Sequence, residues 1–489
     1  MLPLYDTETL RYFEAVAQQA QQRLMPLAAR AAADFVMARY SQTDRFLVLV
    51  GPGNNGGDAL LTAYYLVDAG YELTVVIPDI EHFPEDAQAA YQQWLSLKRP
   101  HYVQLPHAQN WSLIIDGLFG IGLCRRIEGA WQALIEQVNR WNLPVLSLDV
   151  PSGVDANRGA VLGVAIRARW TLGFIRCCQG LFTGAALNHV GEYHLADLGV
   201  TATTEESSCF WLNTIPETIK QLQRPPDTHK GLFGSVAVIG GADGMVGAAL
   251  LAARAALKLG AGRVYVGLLS QLALAVDTQC LELMIQPVSA IMKQTTHNVL
   301  AIGPGLGDSS VAQHYLQQVL ASDSELVMDA DALNLIAQYK MLQQQLIARR
   351  VTTILTPHPA EAARLLDTDT NTIQADRYRA ARALAKQYGC IVVLKGAGSL
   401  IVDGARVMVN STGNPGMSAA GYGDVLTGMI AAFLAQRIKS FDAACLAVYL
   451  HGLAADQCVQ QGLGLIGMTA SEIIDKARTL VAIASKAEC

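Results

Sequence analysis

The chain has 489 residues, 51% of them apolar and 16% charged, with a formal net charge of −6 and a pI near 5.9. That length sets an expectation of two domains, each able to bury a core, and the composition excludes a disordered chain. The acidic balance and the lack of a long Lys/Arg run exclude a nucleic-acid groove, and the most apolar helical stretch, 245–260, is interrupted by Arg254 and Lys258, so no membrane span is expected.

The cysteines are Cys124, Cys177, Cys178, Cys209, Cys280, Cys390, Cys445, Cys458 and Cys489. They are odd in number and contain no C-x-x-C pair, which points to buried thiols in a reducing, cytoplasmic setting rather than to a disulfide framework or a zinc site. The start MLPLYDTETLRYFE has no basic segment followed by an apolar run, so no signal peptide is expected.

Residues 8–40 read as helices, with apolar residues at spacings of three to four and an interruption at Pro26. RFLVLV, 45–50, reads as a buried strand running into GPGNNGGD, 51–58. A helix over ALLTAYYLVDAG and a strand over 73–77 follow, which makes a β–loop–α–β unit of a parallel, doubly wound sheet. Gly51, Gly53 and Gly56 satisfy G-x-G-x-x-G, a weak dinucleotide signal by itself. Asn54, Asn55 and Asp58 add a dense polar group that suits a sugar-bearing ligand or an oxygen-held cation; a tight turn with Asx caps is the plainer alternative. LIID, 113–116, runs into GLFGIGLCRR, and VLSLD, 145–149, runs into VPSGVDANRG. Ligands of open α/β sheets sit beyond the carboxyl ends of the strands, so these three loops are expected to share one crevice.

GPGNNGGD, DGLFGIGL, DVPSGVDANRG and the closing GEYHLADLGV together resemble the NAD(P)H-hydrate epimerase domain over residues 1–215. The resemblance implies that Asn54, Asn55, Gly56, Gly57 and Asp58 contact a hydrated dinucleotide, as do Gly120, Ile121, Gly122, Leu123, Cys124, Arg125 and Arg126. It further implies that Asn55, Asp116 and Ser152 hold K+, and that Asp149 touches the substrate near the reacting carbon. A carboxylate such as Asp149 can serve the acid–base chemistry of inversion at C6. One departure stands out: Cys178 occupies a position where the family usually carries Lys.

ATTEESS, 202–208, is a short polar stretch, and LQRPPDTH, 222–229, contains Pro225 and Pro226, which cannot continue a helix. The expected division is therefore 1–215, a linker at 216–228, and 229–489.

In the second part, a strand over 235–239 leads into the glycine-rich stretch 240–247 and a long amphipathic helix. Later strands end in GPGLGD at 303–308, DADALN at 329–334, TPHPAEAARLL at 356–366 and KGAGSLI at 395–401. Strands alternating with helices predict a mostly parallel α/β/α sandwich. His358 is stiffened by the prolines on either side and suits a ligand contact, or else a rigid turn. Lys395 with Gly396 and Gly398 can set one cation and free backbone N–H groups against phosphate, or simply end a strand. The most informative stretch is GNPGMSAAGYGDVLTG, 413–428, a glycine loop feeding a helix that begins near Asp424. Such a helix start receives phosphate, and a carboxylate there fits a base for a hydroxyl that attacks a phosphoryl group; a plain helix cap is the alternative.

NPGMxxAGxGDVLxG with GPGLG, DADALN, TPHPxEAxRLL and LKGAGS resembles the ADP-dependent NAD(P)H-hydrate dehydratases of the ribokinase-like superfamily over residues 229–489. A departure is Tyr422, where Ser or Thr is usual; a bulky ring there could alter access to the nucleotide. The implied fold is α/β in two domains, an N-terminal Rossmann-like doubly wound sheet and a C-terminal ribokinase-like sandwich. Ala248, Gly305, His358 and Asp424 are implied to contact the hydrated dinucleotide. Lys395, Gly396, Ala397, Gly398, Ser399 and Gly423 are implied to hold ADP, with Mg2+ required and Asp424 activating the C6 hydroxyl. The expected partners are NADHX or NADPHX, ADP and further copies of the chain. Two competing readings are a ribokinase-like small-molecule kinase and, for the first half, a non-catalytic binding module.

Overall fold

A computed structural model describes residues 1–78, 80–106, 110–201, 207–272, 275–294 and 297–486. Cys489 and most of the polar stretch 202–208 lie outside the described residues. The chain divides into two compact units, Leu2–Cys209 and Phe210–Cys489.

The first unit is built on a six-stranded sheet in the order Glu72–Val76, Arg45–Val50, Leu113–Gly117, Val145–Leu148, Trp170–Phe174, Glu192–Ala196. Every neighbouring pair is parallel. The first strand of this sheet, Arg45–Val50, has its successor on one side and Leu113–Gly117 on the other, so the strand order reverses there. A crevice at such a reversal is where doubly wound sheets bind ligands. The strands are apolar throughout because helices cover both faces; Phe46, Val48 and Val50 pack in one core, and Leu47 and Leu49 in another.

Two local corrections matter for the site. The helix after Arg45–Val50 begins at Asn54, so Asn54–Asp58 form its first turn rather than a loop. Pro26 does not separate helices: it lies in the first turn of Leu24–Met37, where no intrahelical N–H is required.

The second unit carries strands in the order Met284–Ile285, Arg263–Leu268, Ser235–Gly240, Val299–Ile302, Glu325–Met328, Thr353–Leu355, Ile391–Leu394, Leu400–Asp403, Arg406–Asn410. The pairs are parallel up to Ile391–Leu394, and the last two are antiparallel. Helix Tyr422–Ala435 is apolar all round and nearly wholly buried. Gly428 lets it press against helix Val246–Lys258: a Cβ there would meet the Ala252 carbonyl oxygen at 2.0 Å. The stretch 216–228, read above as linker, contains a 3-10 turn, Glu217–Leu222, whose Ile219 and Leu222 join this core.

Candidate active sites

In the first unit the three strand-end loops meet around a cavity of about 530 Å³. Its wall includes Asn54, Asn55, Asp58, Gly120, Ile121, Gly122, Leu123, Cys124, Arg125 and Asp149. Gly56 and Gly57 serve close packing: a Cβ on Gly56 would meet the Gly51 oxygen at 2.0 Å, and one on Gly57 the Ala87 Cα at 2.8 Å. Arg126 is exposed and faces Glu128 at 3.7 Å.

Asp149 ends the strand Val145–Leu148 with a positive φ of 66°. A non-glycine residue in that region carries about 1–3 kcal/mol of strain, and here the turn aims the carboxyl into the cavity. The Ile121 amide donates to Asp149 Oδ2 at 3.1 Å. Loss of solvation pushes the carboxyl up to about 7 despite that donor, with Glu14 adding repulsion. Asp58 is pushed well up for the same reason, with Asp149, Glu14 and Asp86 opposing its charge.

Beneath the cavity, the buried Asp116 accepts from Ser147 Oγ at 2.7 Å, Ser152 Oγ at 2.6 Å, Ser152 N at 3.0 Å and Leu118 N at 3.2 Å. Asn55 donates its amide to the Leu148 carbonyl at 3.2 Å, and its buried Oδ1 has no partner. An oxygen left over in a buried, oxygen-rich place is what a hard monovalent cation would use.

Glu14 and Arg11 also line this cavity, and nothing in the motifs points to them. They come from helix Thr7–Gln19, whose start is tied to the strand-end loop: Thr7 N donates to Asn157 Oδ1 at 2.8 Å and Asn157 Nδ2 to Thr7 Oγ1 at 2.9 Å. The findable signal was Asn157 in VDANRG. Cys178 is buried on a short strand beside Tyr5 and does not line the cavity.

In the second unit, the residues of the late motifs meet at the start of helix Tyr422–Ala435. Asp424 occupies the first turn and is half-buried. Desolvation pushes its carboxyl up to about 7; Asp329, Asp331 and Glu361 raise it further and Lys395 opposes them. Lys395 Nζ lies 2.5 Å from Asp329 Oδ1 and 3.8 Å from Glu361 Oε2. Thr427 Oγ1 donates to Asp329 Oδ2 at 2.9 Å. Gly423 faces both members of the pair: a Cβ there would lie 3.3 Å from Asp329 Oδ2 and 3.3 Å from Lys395 Nζ. Asp329 and Glu361 are the residues that motif reading passed over, although DADALN and PHPAE contain them.

His358 caps helix Pro359–Leu365: its Nδ1 accepts from Ala360 N at 3.1 Å and Glu361 N at 3.3 Å. Its Nε2 meets Glu361 Oε1 at 3.1 Å. The side chain is about half exposed, so the residue couples helix start, carboxylate and solvent. In the loop 395–399, Gly396 has φ 137° and Gly398 φ 60°, and the Ser399 hydroxyl donates to the Gly396 oxygen at 2.9 Å. Ala397 is exposed. Gly305, at φ 58°, approaches Ala248: a Cβ on Gly305 would meet the Ala248 Cβ at 3.2 Å. Next to them lies a cavity of about 820 Å³ lined by Met245, Gly307, Asp331 and Arg364 among others. Tyr422 turns its ring into the core and its hydroxyl donates to the Met468 carbonyl at 2.9 Å. The ring is thereby packed in the core of the second unit.

Residues 236–479 match the family described as NAD(P)H-hydrate dehydratase, and residues 21–180 match the YjeF-related protein N-terminus. The chain is 35% identical to the bifunctional NAD(P)H-hydrate repair enzyme Nnr of Coxiella burnetii, over 98% of this chain and 100% of that protein. It is 37% identical to the enzyme of the same name from Vibrio cholerae, over 94% and 93%. Among solved structures, the ADP/ATP-dependent NAD(P)H-hydrate dehydratase of Bacillus subtilis, co-crystallised with ATP/Mg2+, is 29% identical, covering 55% of this chain and 98% of that one with a TM-score of 0.48.

Proposed function

The chain belongs to the bifunctional NAD(P)H-hydrate repair enzymes, and on that premise we propose how its two units divide the work. The protein repairs hydrated NAD(P)H by epimerising R- and S-NAD(P)HX and dehydrating the S form. Epimerisation belongs to the first unit and dehydration to the second.

In the second unit, Asp424 takes the proton of the C6 hydroxyl. The hydroxyl oxygen attacks the terminal phosphoryl of ADP, and AMP leaves as the new C–O–P bond forms. The ring nitrogen lone pair then expels phosphate from C6, and loss of a C5 proton completes the dihydronicotinamide ring. The observation that carries this reading is the placement of Asp424, its carboxyl pushed up to about 7, at a half-buried helix start beside the Lys395 ammonium. Magnesium, when bound, supplies charge neutralisation on the transferred phosphoryl. Asp329 and Glu361 are already engaged with Lys395 and His358, which fits an ion carried by the nucleotide phosphates rather than by a protein cage.

In the first unit, Asp149 is the acid–base group for inversion at C6, supported by its raised carboxyl and its place in the cavity wall. K+ would be held by Asn55, Asp116 and Ser152; the unpartnered Asn55 Oδ1 supports this assignment. No disulfide forms among the described cysteines, which favours a reducing, cytoplasmic location.

The test is recovery of reduced-nicotinamide absorbance from separated S and R epimers of NADPHX with Mg2+ and ADP, with ATP as comparison. Recovery of S with ADP, and of R faster than its spontaneous rate, is expected. Recovery of neither overturns the proposal and favours a ribokinase-like kinase.

A further inference from the structure

Lys395 already stands beside Asp424 in the dehydratase reading; its buried partner Asp329 has been given no role of its own. Asp329 is buried at the end of strand Glu325–Met328, and Lys395 follows strand Ile391–Leu394, with Thr353–Leu355 between them. Placing two charges there is costly unless each is well met. Asp329 is well met: one oxygen receives Lys395 at 2.5 Å and the other receives Thr427 at 2.9 Å. Lys395 has three N–H donors. Asp329 takes one and Glu361 stands 3.8 Å away, so the ammonium still has donor capacity toward the helix start. Gly423 at that helix start faces the pair closely: a Cβ there would crowd Asp329 Oδ2 and Lys395 Nζ, each at 3.3 Å.

We propose that Asp329 is a positioning residue for phosphoryl transfer: with Thr427 it anchors Lys395 and aims the remaining ammonium donors at the phosphate beside Gly423 and Asp424. The role rests on the dehydratase reading above. Asp329 acts through Lys395 and reaches neither substrate nor nucleotide itself. Thr427 comes from the same helix as Asp424, so the anchor of the pair and the proposed base share one element.

The pair also sets the charge seen by Asp424. The charged groups that bear on that carboxyl are Asp329, Asp331 and Glu361, which disfavour its ionisation, and Lys395, which favours it. Neutralising Asp329 removes a repulsion and leaves Lys395 less compensated. Both changes let Asp424 ionise more easily, so the acidic limb of activity moves to lower pH.

The experiment uses the full chain. Wild-type recovery of NADPH from S-NADPHX with ADP and Mg2+ is measured first; if it is absent, the dehydratase reading fails and the positioning role is judged by ADP binding alone. With Asp329→Asn, affinity for ADP is expected to fall about tenfold, the loss typical of a charged contact held out of place. The acidic limb of kcat is expected to move down by about one pH unit, and Asp329→Glu to recover both. The double variant Asp329→Asn with Lys395→Gln should cost no more than Lys395→Gln alone. A limb that stays in place, or a double variant whose loss is the product of the two singles, overturns the proposal. If Asp329→Asn does not fold, Thr427→Val carries the test through ADP affinity: a loss of about threefold or more supports the role, and an unchanged affinity overturns it.

Discussion

The amide of Ile121 donates to Asp149 Oδ2 at 3.1 Å, and this bond joins two strand-end loops across the first cavity. Burial outweighs it, so the carboxyl titrates near 7. Acting as a base, Asp149 is ionised above that value, and epimerisation should rise with pH through about 7. Asp149→Asn should lower the rate of R-epimer recovery about a hundredfold or more while S-epimer dehydration is unchanged. A pH series of R-epimer recovery with dehydration in excess checks both.

Gly120 lies against the same carboxylate. A Cβ there would be 2.9 Å from Asp149 Oδ2 and 3.3 Å from Asn55 Cβ. Gly120→Ala should impair epimerisation about tenfold or more by displacing both side chains, as sub-ångström misplacement of reacting groups does. Its melting temperature should stay within a few degrees of wild type.

The unpartnered Asn55 Oδ1 gives the K+ assignment a direct test. Exchange into sodium buffer should slow epimerisation, and Asn55→Ala should lose the response to K+. A K+-dependent rise in melting temperature in wild type, absent in Asn55→Ala, is a readout independent of activity.

Asp424→Asn should abolish most dehydration, by about a hundredfold or more, while leaving epimerisation intact. Its effect on stability has a definite sign. The folded-state carboxyl is pushed up to about 7 from the usual range near 4, so ionisation opposes folding. That penalty is absent below about pH 4, grows between the two values and is complete above about 7. Asp424→Asn should therefore melt higher than wild type at pH 8, by roughly a few degrees, and the gap should close in acid. Calorimetry at the two pH values checks it.

His358 caps its helix through Nδ1, so His358→Ala should cost about 1 kcal/mol, read as a lower melting temperature. His358→Asn supplies another capping oxygen and should restore most of it. If the ring edge also meets the dinucleotide, His358→Asn should keep stability and still raise KM for NADPHX.

The strand ends and glycine loops were legible because they are local. RFLVLV, LIID and VLSLD are continuous apolar runs ending in turn residues, and they form neighbouring strands whose loops share a cavity. Asp149 and Asp424 stood out because each follows a pattern no simple turn requires. Glu14 and Arg11 were not legible: their helix reaches the cavity through the Thr7–Asn157 hydrogen bonds, which span 150 residues of sequence. Asp329 was passed over because its ion-pair partner, Lys395, lies 66 residues away.

The sequence alone thus determined the α/β class, the chemistry-bearing loops and the family, since periodicity, turn residues and motif spacing are written along the chain. The tertiary structure alone decided which charges meet. It turned Tyr422 into the core, used His358 as a cap and buried Asp329 against Lys395. Those outcomes follow from desolvation and from contacts between distant segments, and neither is expressed in the order of residues.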